Sequence, residues 1–317
     1  MARGRNRAAS FNGTNHAGGA IRGTYVPIEG RWQVPDGQSP TVRRRRLAAE
    51  LRRLRDAARL TCEEVAEHLE CSASKISRVE TGRVSVSPRD VRDMLELYGV
   101  AREECEGLVQ LARDSRQKGW WHAYSDTMQP WFATYVGLEA AASEIRNFEV
   151  DLIPGLLQTE DYARGVIRGG SVNATNEEIE RGVALRMERQ PLLTRDSPPE
   201  LWVVIDEAAL RREVGGHGVM RHQLDHLLEL SSLPNVTIQV LPFGAGAHPA
   251  MGNPFAILGF PERADPDVAY ITDLTSCLYV ENIEEVDRHN LIFNHLRATA
   301  LSLSETAAFI LTVRKEL

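Results

Sequence analysis

The residues best suited to chemistry with a partner are Ser72, Ala73, Ser74, Lys75, Ser77 and Arg78. Ile76 and Val79 fall among them at helical spacing, so a helix here turns the hydrophobes inward and the other six outward. The outward set is short hydroxyls, one methyl and two cations, with no carboxylate. Short side chains let the start of a helix approach the edges of DNA bases, and Arg78 is long enough to fork onto guanine O6 and N7. Lys75, the serine hydroxyls and the free N–H groups of the first turn suit phosphate oxygens. The competing reading is an ordinary helical hairpin with a solvated basic face.

The elements that must position these residues are legible around them. Thr61 caps a helix and Glu64 completes a capping box, with Val65, Ala66 and Leu69 turned inward. A break at Glu70 and Cys71 follows, Ser72 caps the second helix, and Gly82 closes it. Two short helices and a tight turn make a helix-turn-helix. A preceding helix spans Thr41 to Ala58 on a stripe of Leu47, Leu51, Leu54 and Ala58. Its arginines (43–46, 52, 53, 55 and 59) serve either phosphates or solvent. Ser87-Pro88 opens a fourth helix over Val91, Met94, Leu95 and Tyr98, which Gly99 stops, and a fifth runs from Ala101 to about Gln117. Residues 41–118 thus form an all-α five-helix DNA-binding domain. Residues 1–40 read as a disordered basic arm, a solvated tail or a minor-groove contact.

Charge divides along the same boundary. Residues 1–118 hold 22 Lys and Arg against 16 Asp and Glu, and residues 119–317 hold 15 against 28. A front segment of +6 on a back segment of −13 is the distribution expected when one part meets nucleic acid. Cys62, Cys71, Cys105 and Cys277 lack paired metal-ligand spacing and read as buried thiols, with a Cys62–Cys71 redox pair as the alternative. The sequence shows neither a signal peptide nor an apolar run of membrane-spanning length, so the expectation is a cytoplasmic protein, nucleoid-associated when bound to DNA.

Residues 119–317 change character. Trp120, Trp121, Tyr124, Trp131 and Phe132 form an aromatic cluster that walls a ligand pocket, covers a partner groove, or fills an inter-domain core. A helix is expected from Gly137, carrying Leu138, Ala141, Ala142 and Ile145 inward, then a Pro154-Gly155 turn and a helix opened by Thr159. Runs 200–207, 236–243, 255–260, 268–272 and 277–280 read as strands. Met220 to Leu230, Ile283 to Ser302 and Glu305 to Lys315 read as helices. The fold class is therefore multidomain, with the helical domain followed by an acidic α+β domain holding a mostly antiparallel sheet. The loop FGAGAHPAMGNP serves as a lid or a plain connection.

Two stretches resemble known families. Leu60, Thr61, Val65, Ala66, Leu69, Ser72, Ser74, Ile76, Ser77, Arg78, Glu80 and Gly82 match the pattern of Xre-type regulators related to phage repressors and Cro. The resemblance implies that Ser72, Ala73, Ser74 and Arg78 read bases, with Thr61, Lys75, Ser77, Thr81 and Arg83 at or near the backbone. Cys62 replaces the family glutamine that touches phosphate, and Glu70 replaces the turn glycine, at a cost on the order of 1 kcal/mol in left-handed φ. Glu139, Ile145-Arg146, Phe148 and the run from Ile153 to Arg164 resemble the C-terminal domain of actinobacterial Xre regulators. That resemblance implies an antitoxin-like or developmental regulator, usually accompanied by a small partner protein.

Catalysis has little to rest on. His222 and His226 share a helix face beside Asp225, but a metal needs a third ligand such as His217 or His248, and Gln223 breaks the HEXXH pattern. Asp206 and Glu207 end a strand, where they serve acid chemistry or cap the next helix. Nucleophile elbow, P-loop and dinucleotide fingerprints are absent from the sequence. The expectation is a homodimeric, sequence-specific transcription regulator, not an enzyme, with no cofactor or metal and no membrane partner. Its partners are double-stranded DNA and a small protein or small-molecule effector. The alternative is an antitoxin-like docking module whose DNA binding serves autoregulation.

Overall fold

The computed structural model describes residues 39–262, 265–273 and 275–317. The expected arm over residues 1–40 therefore lies outside the described residues except for Ser39 and Pro40. The chain then forms five helices: α1 Pro40–Ala57, α2 Cys62–His68, α3 Ala73–Glu80, α4 Pro88–Leu97 and α5 Arg102–Asp114. Their starts follow from their sequences. Ser39, Thr61, Ser72 and Ser87 accept hydrogen bonds from the first-turn N–H groups of α1 to α4, and Pro40 and Pro88 occupy the first helical positions. Leu47, Leu51, Val65, Ile76, Val91, Met94, Leu95 and Leu108 are all buried in this helical domain.

The remainder forms α6 Pro130–Glu139, β1 Glu144–Glu149, α7 Glu160–Gly170, α8 Asn176–Arg189, β2 Glu200–Asp206, α9 Glu207–Arg211, α10 His217–Leu230 and β3 Val236–Leu241. After them come β4 Phe255–Gly259, β5 Val268–Thr272, β6 Cys277–Val280, α11 Ile283–Thr299 and α12 Leu303–Glu316. The six strands make one mixed sheet in the order β3-β2-β1-β4-β5-β6. β1, β2 and β3 run parallel through helical crossovers, whereas β1–β4, β4–β5 and β5–β6 are antiparallel. One face packs Ile145, Val203, Val240 and Leu258 against α6, α7, α10 and α12. The other packs Phe148, Val204 and Ile257 against Val286, Phe293 and Leu296 of α11. No single helix among the described residues is long and apolar enough to cross a membrane.

The helix expected from Gly137 through Ile145 is corrected. The helix begins at Pro130 and ends at Glu139, and Ile145 lies in the central strand β1. Ile145 and Phe148 sit three apart, as on a helix, but they point to opposite faces and each is at most 1 % exposed. A strand buried on both faces loses the alternation that marks strands in sequence. The helices predicted over 283–302 and 305–315 are separated by a 70° bend, one packing on each side of the sheet.

Candidate nucleic-acid interface

The candidate reading helix, α3, is held by its inner face. Ile76 and Val79 are buried, and Glu80 receives a two-pronged ion pair from Arg55 of α1, both N–O distances being 2.8 Å. The third arm of Arg55 donates to the Leu60 carbonyl at 2.7 Å, so one guanidinium ties α1, the entry to α2 and α3 together. Hydrogen bonding to Glu80 pushes the Arg55 pKa up, and burial with the Glu80 charge does the same to the neighbouring Tyr98 phenol. Burial is also the main reason the Cys62 thiol is raised, which disfavours the thiolate that redox chemistry needs. All four cysteines are free and partly buried.

The turn between α2 and α3 needs positive φ, and Glu70 supplies it at 50°; Gly82 ends α3 at 68°. The outer face of α3 is open. Ser72, Ser74, Ser77, Arg78, Thr81 and Arg83 are exposed and Ala73 is partly so. Ser72 caps the Lys75 N–H and sits 3.1 Å from the Ser74 hydroxyl, while the Arg78 guanidinium lies back along the helix on the Ser74 carbonyl at 3.3 Å. Thr81 donates to the Ser77 carbonyl. Lys75 is drawn to Asp90 of α4 at 3.2 Å. Burial raises Asp90, but the Ser87 hydroxyl and Lys75 outweigh it and hold the carboxyl below its usual range.

Two features bear on contact with phosphate. The Thr61 N–H, a ready phosphate donor, is occupied by Glu64 at 2.7 Å, and α2 and its turn expose Glu63, Glu64, Glu67 and Glu70. An occupied Thr61 N–H and four exposed carboxylates make α2 and its turn a poorer surface for phosphate than α3 and its C-terminal flank. The α1 arginines divide as well: Arg45 reaches Glu281 at 2.9 Å and the Pro266 carbonyl at 2.6 Å, and lies 5.5 Å from the Phe260 ring centre. Arg45 and Arg55 thus serve protein contacts. No local sequence signal marks either pairing, because the partners are remote in the chain.

The same junction seats α1 on the second domain. Ser39 Oγ donates to the Gly137 carbonyl. A Cβ at Gly137 would meet Thr41 Oγ1, Thr41 Cβ at 2.8 Å and Trp121 Cζ2 at 2.9 Å, so only glycine allows this approach. Of the expected aromatic cluster, Trp121 is buried with Met128, Val136 and Leu185, flanked by Tyr124 and Phe132, while Trp131 packs with Phe132 on the sheet-side core. Trp120 stays 37 % exposed. Glu139 and Arg189 form a buried pair, both N–O distances 2.7 Å, with the guanidinium over the Phe132 and Tyr135 rings.

The histidines considered for a metal are dispersed. His217 meets Glu213 and the Leu317 carbonyl, His226 lies 3.7 Å from Glu229, and His248 stands edge-on to Phe148. Among the described residues, no three His, Cys, Asp or Glu side chains gather at metal-binding distance. Asp206 caps α9 through the Ala208 N–H, and Glu207 is buried against Arg211 and the Phe243 N–H.

Comparison with known proteins agrees with this division. Residues 46–108 match a helix-turn-helix domain, and residues 132–312 match a domain of unknown function, DUF5753. No curated protein and no solved structure matches the chain. The chain is a DNA-binding helix-turn-helix protein, and by the match over most of its length it belongs to the DUF5753 family.

Proposed function

We propose that the protein is a sequence-specific transcription regulator of Xre type, a homodimer that inserts α3 of each protomer into successive major grooves about 34 Å apart. The observation that carries this reading is the carboxylate-free outer face of α3, exposed above a helix fixed by Ile76, Val79 and the Arg55–Glu80 pair. Ser72, Ala73, Ser74 and Arg78 read bases; Ser77, Thr81 and Arg83 meet phosphates, with Lys75 shared between Asp90 and the backbone. The C-terminal domain is non-enzymatic and receives a small-molecule effector.

The test is genome-wide recovery of bound DNA with the intact chain and with Arg78→Ala. A palindromic site enriched by the intact chain, with a loss of roughly 1–3 kcal/mol and relaxed choice at one base pair in the variant, is the expected result. Equal weakening on every sequence would remove Arg78 from base reading.

A second reading has its own support. Leu278, Ile283 and Leu291 on β6 and α11 are 58 %, 68 % and 70 % exposed, which favours a docking surface for a small toxin-like or co-regulator partner. A small reading frame beside the gene, encoding a protein that co-purifies with this chain, favours that reading.

A further inference from the structure

A cleft of about 250 Å³ opens between α6 and the end of α8. That is just under the usual range for pockets that hold drug-sized ligands, roughly 300–1,000 Å³, so its occupant is small. Val136 of α6 and Ala140 just past its end form one wall, Pro191 and Leu192 the other, and the exposed ring of Trp120 stands at the rim. The Glu139–Arg189 pair lines the cleft, but each charge is cancelled by the other. Glu188 also lines it and keeps its charge, its carboxylate being oriented by the hydrogen bond that it accepts from Tyr124 Oη.

Arg195 differs from these groups. Its guanidinium is fixed by three backbone carbonyls, those of Ser197 at 2.7 Å, Ala140 at 2.8 Å and Ala142 at 3.4 Å. Carbonyl dipoles orient the group without neutralising it, and among the described residues no carboxylate pairs with it. A positioned, uncompensated cation beside apolar walls and an indole ring suits a planar apolar acid.

We propose that this cleft binds a small carboxylic acid with an aromatic or branched apolar body, the carboxylate meeting Arg195 and the body packing between Trp120 and the α6 wall. The inference rests on the effector-receiving reading of the C-terminal domain and gives that effector a chemical class. The site is well placed for such a role, because α6 lines the cleft with Val136 and Glu139 and receives α1 at Gly137.

The experiment uses ligand-observed saturation-transfer NMR on the full chain without DNA, with phenylacetate, phenylacetamide and phenethylamine as probes. Phenylacetate is expected to bind, with the amide and the amine at least tenfold weaker. Ala140→Leu, which fills the cleft, abolishes the signal; Trp120→Ala, at an exposed position, weakens it several-fold. Arg195→Gln weakens it at least tenfold and Arg195→Lys recovers part of the loss. Absence of phenylacetate binding at millimolar concentration, equal binding of acid and amide, or binding unchanged in both Trp120→Ala and a folded Ala140→Leu overturns the proposal. Because DNA is absent, such a result leaves base recognition by α3 to its own test.

Discussion

Replacing Glu80 by Gln keeps the side-chain shape and removes the charge that holds Arg55. The pair is well shielded, with side-chain exposures of 12 % for Arg55 and 4 % for Glu80. Leaving one member of a buried pair unmatched costs roughly 3–5 kcal/mol. Asp56, 2.8 Å from Arg55 and 57 % exposed, offers a partial replacement, so the lower end of about 3 kcal/mol applies. The loss falls on α3, an eight-residue helix whose inner face has Ile76 and Val79 besides Glu80. The assay is hydrogen exchange over residues 73–80, in conditions where exchange reports the opening equilibrium. About 3 kcal/mol corresponds to amides exchanging roughly 150-fold faster. The double variant Arg55→Met with Glu80→Leu replaces the pair by apolar groups and recovers most of the protection. If Glu80→Gln leaves exchange in α3 unchanged, or if the two single losses simply add in the double variant, the clamp does not hold the reading helix.

Three further outcomes are expected. Among the described residues Tyr98 Oη is buried without a hydrogen-bond partner, so Tyr98→Phe leaves stability unchanged or raises it by about 1 kcal/mol in urea unfolding; a loss above that would reveal a partner. Gly137→Ala overpacks the contact with Thr41 and Trp121 and costs about 1–3 kcal/mol, read as a lower Tm by calorimetry, and an unchanged Tm would show that the junction yields freely. Burial raises Glu149 to about 7 from its ordinary 4.5, with Asn147 opposing. Its folded form therefore holds a proton that the unfolded chain releases earlier: the associated stability is full below pH 4.5 and is lost as pH rises through 7, by roughly 3 kcal/mol in total. Glu149→Gln flattens that part of the stability–pH curve, and an identical slope in both proteins would assign the effect elsewhere.

The helix-turn-helix was legible because its signals are local. A capping box, a Ser cap, a turn and a closing glycine each lie within a few residues of what they shape, and the structure realises each at its expected place. Five of the six strands were legible for the same reason, as β-branched runs between turns. β1 was not, because Ile145 and Phe148 serve two cores at once. The pairings that assemble the molecule were also hidden. Arg45 and Arg55 read alike in sequence as cations for phosphate or solvent, yet they bond Glu281 and Glu80, and only the folded chain selects those partners. The histidines show the converse: His222 and His226 share a helix, and among the described residues no third metal ligand joins them.

How strongly an effector in the second domain can act on DNA binding is bounded by the contacts at α6. Residues Tyr135 to Glu139 are buried in succession, so α6 has no solvated stripe; Tyr135 and Leu138 face the sheet, Glu139 faces Arg189 and Gly137 faces α1. A ligand shifts an arrangement only by its difference in affinity for the two states. The link from α1 to the second domain includes the Ser39 bond to Gly137, the Thr41 packing and Val42 buried with Tyr135 and Leu138, with Arg45–Glu281 alongside. A hydrogen bond contributes about 1 kcal/mol net, and an ion pair whose acid is 49 % exposed contributes about 0.5 kcal/mol. With the packing included, the coupling available is about 1–3 kcal/mol, or roughly 5- to 150-fold in affinity. That range suits graded control of operator occupancy, and a near-complete on–off response would require dimer contacts to change as well.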